Sequence, residues 1–161
     1  MRGPTEIRWH ARAGATTAAQ ILALALVRSG RQVQSFPVFG TPLCAYTRFG
    51  PEPLNHHDCV AEPDLVVVLD ETLRGDASVT AGVGKRTKLL VVPPGGFDGA
   101  DTSLAMLGAV AAVLGEPTLA ELEEAIVDVL GGKASERKLR DAAEKGFAWQ
   151  SRPQLEKGVA R

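Results

Sequence analysis

Cysteine is nearly absent: Cys44 and Cys59 are the only two in a chain of 161 residues, and histidine occurs only at His10, His56 and His57. That supply cannot provide the thiolates of an iron–sulfur cluster, nor a structural zinc cluster of the chain's own. Two well-separated cysteines without a secretory leader read as cytosolic thiols, which predicts a cytoplasmic protein. A surplus of one charge sign is missing too. With a formal net charge of −1, the chain has no general attraction for nucleic acid or for acidic membranes. No apolar stretch reaches the roughly 20 residues that span a bilayer. What is present is ordinary for a globular protein, with 45% hydrophobic and 23% charged residues. The length suffices for one domain and falls short of two.

The chain is organised around Glu6–Ser29. Glu6-Ile7-Arg8-Trp9 alternates polar and apolar, His10-Ala11-Arg12-Ala13-Gly14 turns, and Thr16 to Val27 has a helical pattern. A strand, a tight turn and an apolar helix form the first β-α unit of an α/β domain. The helix is apolar nearly all round, so it must be covered on two sides, by its own sheet and by a further element or another chain. Ser29-Gly30 stops it. Gln32–Phe36 alternates as a second strand, Pro37 to Pro42 reads as a loop, and Cys44–Phe49 alternates as a third strand. The link is too short for a crossover, so these two strands are antiparallel. Leu65–Leu69 is an unbroken apolar run, the pattern of a central strand covered on both faces. Asp70 falls at its carboxyl end, where α/β sheets place ligands and partners. Glu71–Arg74 begins a short helix. Gly82–Thr87 is a turn, since it lacks the Walker spacing and precedes a strand. Lys88–Val92 is that strand, and a glycine-rich loop runs from it to Asp101.

Thr102–Leu114 carries no charge. Asp101, Thr102 or Ser103 can cap it, and Gly115 ends it. At about four turns it is too short for a membrane, so protein must bury it. Gly108 inside it costs about 1 kcal/mol relative to alanine, which fits a close approach of another backbone. Thr118-Leu119-Ala120-Glu121 is a capping box. It opens a helix to Leu130 with Leu119, Leu122, Ile126, Val129 and Leu130 inward and Glu123, Glu124 and Asp128 outward. Ser135 starts a last helix to about Phe147, and from Trp149 onward the ending is polar without a packing pattern. The expected fold is α/β: a single three-layer domain over residues 1–147, a mixed sheet of about five strands covered by helices, and a polar tail over 148–161. A domain of this size should be unable to hide both apolar helices, which predicts burial against another chain.

The segment Glu6-Ile7-Arg8-Trp9-His10-Ala11-Arg12-Ala13-Gly14, followed by Thr17-Ala18-Ala19, resembles the start of the gamma subunit of 2-oxoacid:ferredoxin oxidoreductases. Ser35-Phe36-Pro37-Val38-Phe39-Gly40 is similar to the family's Ser-Phe-Pro-x-aromatic-Gly segment. Glu62-Pro63-Asp64-Leu65-Val66-Val67-Val68-Leu69-Asp70 is similar to its Glu-Pro-Asp-x-Val-Val-Val-x-Asp strand. Met106-Leu107-Gly108 resembles the start of its alanine-rich helix. The chain departs from the family where Ala11 and Ala13 replace glycines of a Gly-Arg-Gly-Gly-Gln-Gly turn, which is about two residues shorter here. An arginine-rich loop after Gly40 is also shortened, and a further strand before Thr102 has no room.

The resemblance implies a subunit of a complex that decarboxylates a 2-oxo acid on thiamine diphosphate with Mg²⁺. Such complexes pass electrons through [4Fe-4S] clusters to ferredoxin and transfer the acyl group to coenzyme A. It implies that these groups sit on partner subunits, thiamine-binding and ferredoxin-like chains, and that this chain ligates none of them. Its role is then to complete the assembly and shape the coenzyme A entrance. Two readings from other classes stand beside it. One is a non-catalytic scaffold or binding protein of the same fold. The other is a free-standing nucleotide-binding module, against which the missing Gly-x-Gly-x-x-Gly counts.

One element of the sequence can bind an anion: the turn at Arg12, Gly14, Thr16 and Thr17. A helix amino terminus offers unpaired N–H groups and partial positive charge, Arg12 adds a full charge and the threonines add hydroxyls. Plain helix capping is the competing use of the same residues. Asn55-His56-His57-Asp58-Cys59 has metal-ligand residue types, but neighbours along a strand point opposite ways and no second cluster completes four ligands. It reads as a polar connection, and the chain is expected to bind no metal. His10 reads as a strand-end histidine satisfied by backbone, Cys44 as a buried thiol, and Asp70 as a helix cap or a ligand contact.

Overall fold

A computed structural model describes residues 3–38, 43–54 and 62–151. Its sheet comprises β1 (Thr5–Ala11), β2 (Gln32–Val38), β3 (Leu43–Gly50), β4 (Leu65–Val68) and β5 (Lys88–Val91), in the order β2-β3-β1-β4-β5. β3 runs antiparallel to both β1 and β2, whereas β4 is parallel to β1 and β5 is parallel to β4. The sheet is mixed and five-stranded, as expected. The helices are α1 (Ala15–Arg28), the single-turn α2 (Ala77–Thr80), α3 (Thr102–Leu114), α4 (Leu119–Leu130) and α5 (Glu136–Ser151), with a 3-10 turn at Glu71–Leu73.

Strand alternation divides the sheet into two unlike faces. Ile7, Trp9, Ala45, Phe49, Leu65 and Val67 share one face and join α1, α3, α4 and α5 in the main core. Trp9 and Ile7 are fully buried there, and a side chain of that size contributes about 1.5–3 kcal/mol by leaving water. The Trp9 indole N–H donates to Thr47 Oγ1 at 3.0 Å, so burial leaves no unmet donor. On the other face Val66 and Val68 meet Leu73 and Val79, from the 3-10 turn and α2, in a thin third layer. β4 is thus covered on both sides, as its apolar run predicts.

Burial of α3 corrects an expectation. Leu104 through Ala111 are all buried within this one chain, chiefly by α5. A Cβ on Gly108 would overlap the backbone of Ala143 and Phe147, and one on Gly146 would overlap the backbone of Ala105. The two glycines therefore let the helix backbones touch, and the apolar surface of α3 is hidden without a second chain. α1 is likewise less needy than its composition suggests, since Thr17, Gln20, Val27 and Arg28 face outward. Among the described residues the exposed large hydrophobics are Val27, Val83, Leu89 and Val129, single residues of the kind every surface carries.

Other differences have local causes. Pro37 and Val38 extend β2 rather than opening a loop, which an edge strand tolerates because a missing N–H can face outward. Glu123 is buried, not outward, with its carboxylate 3.6 Å from Arg140 of α5. Burial, reinforced by Glu144, raises its pKa despite Arg140. Val129, expected inward, is exposed. α5 runs past Phe147 to Ser151, because Trp149 packs edge-on against Phe97 with ring centroids 5.4 Å apart. The capping box of α4 forms as read, with Glu121 N–H donating to Thr118 Oγ1 and Thr118 N–H to Glu121 Oε1. No helix among the described residues is long and apolar enough to cross a membrane.

Candidate functional site

The carboxyl ends of the parallel strands β1, β4 and β5 converge on the start of α1. β1 ends at Ala11, and Arg12, Ala13 and Gly14 turn the chain into α1. Gly14 is the N-cap at φ 88°, and no side chain caps the helix. That left-handed backbone suits glycine, and space is tight as well, since a Cβ there would lie 3.3 Å from Ser103 Oγ. The first helical bond runs from Ala18 N–H to Gly14 O at 2.9 Å. The amides of Ala15, Thr16 and Thr17 come before it and have no partner within the helix. Thr16 is half-buried and Thr17 exposed, and neither hydroxyl is used as a cap.

Arg12 is mostly exposed and is held from one side. Its Nε donates to Thr72 Oγ1 at 2.9 Å and stands 3.7 Å from Asp70 Oδ2. Asp70 in turn accepts from the Thr72 amide at 2.9 Å and the Thr72 hydroxyl at 2.7 Å, capping the 3-10 turn. Those hydrogen bonds from Thr72, with Arg12 adding a smaller contribution, hold the Asp70 carboxyl below the usual carboxylate range. Of the two uses foreseen for Asp70, helix capping is the one seen. A shallow cleft of about 330 Å³ adjoins it, lined among others by Asp70, Glu71, Gly95, Gly96 and Thr102. The structure thus brings Asp70 and Thr72 to the Arg12 turn. The sequence does not single out Thr72, because nothing distinguishes it from any other residue after a capping Asp.

His10 is not satisfied by backbone, as its position suggests. It lies on the second face, 2% exposed, and its Nε2 accepts from Arg8 Nε at 2.9 Å. The proton of the neutral ring is therefore assigned to Nδ1, which finds no partner among the described residues. Arg8 is buried as well, and its other donors reach the backbone carbonyls of Val79 and Ala81. Arg8 was legible only as a polar position in an alternating strand, yet it ties β1 to α2. Burial first, and then the charge of Arg8, lower the His10 pKa to about 4, with Asp76 opposing. The neutral imidazole facing a guanidinium serves as an acceptor for Arg8 here.

Cys44 is half-buried, less enclosed than expected. It stands across from His10 in the β1–β3 register. His56, His57 and Cys59 lie outside the described residues. Among the described residues no group of three or more His, Cys, Asp and Glu could hold a metal ion.

Residues 6–96 match the family described as pyruvate ferredoxin/flavodoxin oxidoreductase. Over nearly its whole length the chain is 34% identical to the pyruvate/ketoisovalerate oxidoreductases common subunit gamma of Pyrococcus furiosus, the match covering 86% of this chain and 94% of the relative. The crystal structure of the pyruvate oxidoreductase subunit PorC from Thermotoga maritima superposes with a TM-score of 0.76 at 28% identity, covering 91% of this chain and 97% of that one. The 2-oxoglutarate:ferredoxin oxidoreductase of Magnetococcus marinus, solved with 2-oxoglutarate, coenzyme A and succinyl-CoA bound, shares the fold at a TM-score of 0.74 and 17% identity. That match covers 93% of this chain and 31% of that longer one. The chain belongs to the pyruvate ferredoxin/flavodoxin oxidoreductase family, among its gamma subunits.

Proposed function

We propose that this chain is the gamma subunit of a thiamine diphosphate-dependent 2-oxoacid:ferredoxin oxidoreductase complex, ligating none of its cofactors, with the Arg12–Thr17 turn facing the coenzyme A entrance. The observation that carries this reading is the α1 amino end, which has no side-chain cap and stands beside an exposed guanidinium. Uncapped first-turn amides and a nearby cation suit one anionic group, such as a phosphate. Coenzyme A would supply the thiol that accepts the acyl group. Arg12 and the amides of Thr16 and Thr17 would hold its anionic end, with Asp70 and Thr72 fixing the guanidinium. The described residues offer no donor set for thiamine-bound Mg²⁺ or for iron–sulfur clusters, so those groups are assigned to thiamine-binding and ferredoxin-like partner chains, with ferredoxin as the acceptor. A cytoplasmic location is in keeping with such an assembly.

A charge-assisted hydrogen bond from Arg12 is worth about 1.5–3 kcal/mol. In the reconstituted complex Arg12→Ala should therefore raise the KM for coenzyme A roughly tenfold or more. Arg12→Lys should rescue only in part, because an ammonium lacks the planar fork. Raised salt should partly mimic the loss at so exposed a group. A competing reading, a non-catalytic scaffold, draws on Asp70, which already stands 3.7 Å from Arg12 and offsets its charge. If Arg12→Ala leaves both the KM and the subunit stoichiometry by native mass spectrometry unchanged, the scaffold reading prevails.

A further inference from the structure

A cavity of about 500 Å³ opens where the loop before α3 meets the connection between α4 and α5. Its floor is apolar: Leu104, Leu139 and Ala142 are buried. Its rim carries Lys133, Lys138 and Lys145. Two carboxylates also line it, and both are engaged elsewhere. Asp101 Oδ1 accepts the Leu104 amide at 3.1 Å as the cap of α3, and Asp141 stands 3.8 Å from Arg137. None of the three lysines forms an ion pair among the described residues. Lys145 is anchored by donating to the Asp98 carbonyl at 3.1 Å.

Three ammonium groups around an apolar floor mark a ligand with two parts. An inorganic anion would use the rim and leave the floor wet, while a neutral apolar molecule would use the floor and leave the ammonium groups unpaired. The volume lies within the range of about 300–1,000 Å³ found for ligand pockets. We propose that this cavity binds a small amphipathic carboxylate, with its apolar body on Leu104, Leu139 and Ala142 and its carboxylate among Lys133, Lys138 and Lys145. The proposal goes beyond the coenzyme A reading and does not depend on it, since no residue is shared with the Arg12 turn.

Isothermal titration calorimetry and thermal shift on the full chain test it with octanoate, octanol and inorganic phosphate as probes. One octanoate per chain should bind, at least roughly tenfold tighter than octanol or phosphate, because only octanoate meets both parts of the site. The double variant Lys138→Met and Lys145→Met should weaken octanoate by roughly tenfold or more. Ala134→Trp, on the exposed lip, should block binding while leaving the unliganded melting temperature at the wild-type value. Absence of one-to-one octanoate binding would overturn the proposal. So would equal binding of octanol, which leaves only an apolar patch, or of phosphate, which leaves only an ammonium cluster. Octanoate binding that survives Ala134→Trp would place the ligand elsewhere and overturn it too.

Discussion

At His10 burial removes an imidazole from titration near neutral pH, lowering its pKa from 6.5 to about 4. In the unfolded chain the same group protonates near 6.5, so between these values the unfolded state holds the extra proton. His10 therefore contributes its full stability above about pH 6.5 and loses it as pH falls toward 4, at up to about 1.4 kcal/mol per pH unit. Glu123, raised by burial, has the opposite sign, its contribution being lost as pH rises through its folded value. A comparison of wild type with His10→Gln isolates the histidine. The wild-type melting temperature should drop more steeply between pH 6.5 and 4 than that of the variant, and parallel curves would show that His10 is not held neutral. At this scale the sequence was readable where one residue acts on its immediate neighbours, as Asp70 does in capping Thr72. It was unreadable where the partner is distant: Arg12 meets Thr72 sixty positions on, and Arg8 reaches Val79 across seventy-one.

The α3–α5 pair carries its specificity in two glycines rather than in any large side chain. A side chain at either position would meet backbone, which cannot swing aside as a long side chain can. Gly108→Leu should cost about 1–3 kcal/mol through overpacking, lowering the melting temperature by about 2–4 °C per kcal/mol for a domain of this size. Gly146→Ala should act in the same direction, and a double variant should be far from additive, because both glycines lie in the same α3–α5 seam. At the amino end of α4 the expectation is milder: Thr118→Ala removes one cap bond and should cost about 1 kcal/mol in a urea melt. α3 and α4 could be read from sequence almost to their ends, since a capping residue and a terminal glycine bound each of them. α2 could not, being a single turn. The end of α5 was hidden by its polar composition, which masks the packing of Trp149 on Phe97.

For the whole molecule, the class and the mixed sheet followed from the β-α opening and from a link too short for a crossover, whereas the covering of α3 did not. Composition counts apolar residues but says nothing of which helix lies over which, so hidden and exposed apolar surface looked alike. A chain ending at residue 134 should expose Leu104–Ala111 and aggregate, as light scattering would show; a monodisperse product would mean that α5 is dispensable. The same clasp sets an order of events during synthesis. α3 precedes its shelter in the chain, so in vectorial synthesis its uncharged surface emerges before the helix carrying Ala143 and Gly146 can close on it. Until α5 follows, that surface is open to water and to any chaperone that meets the nascent chain.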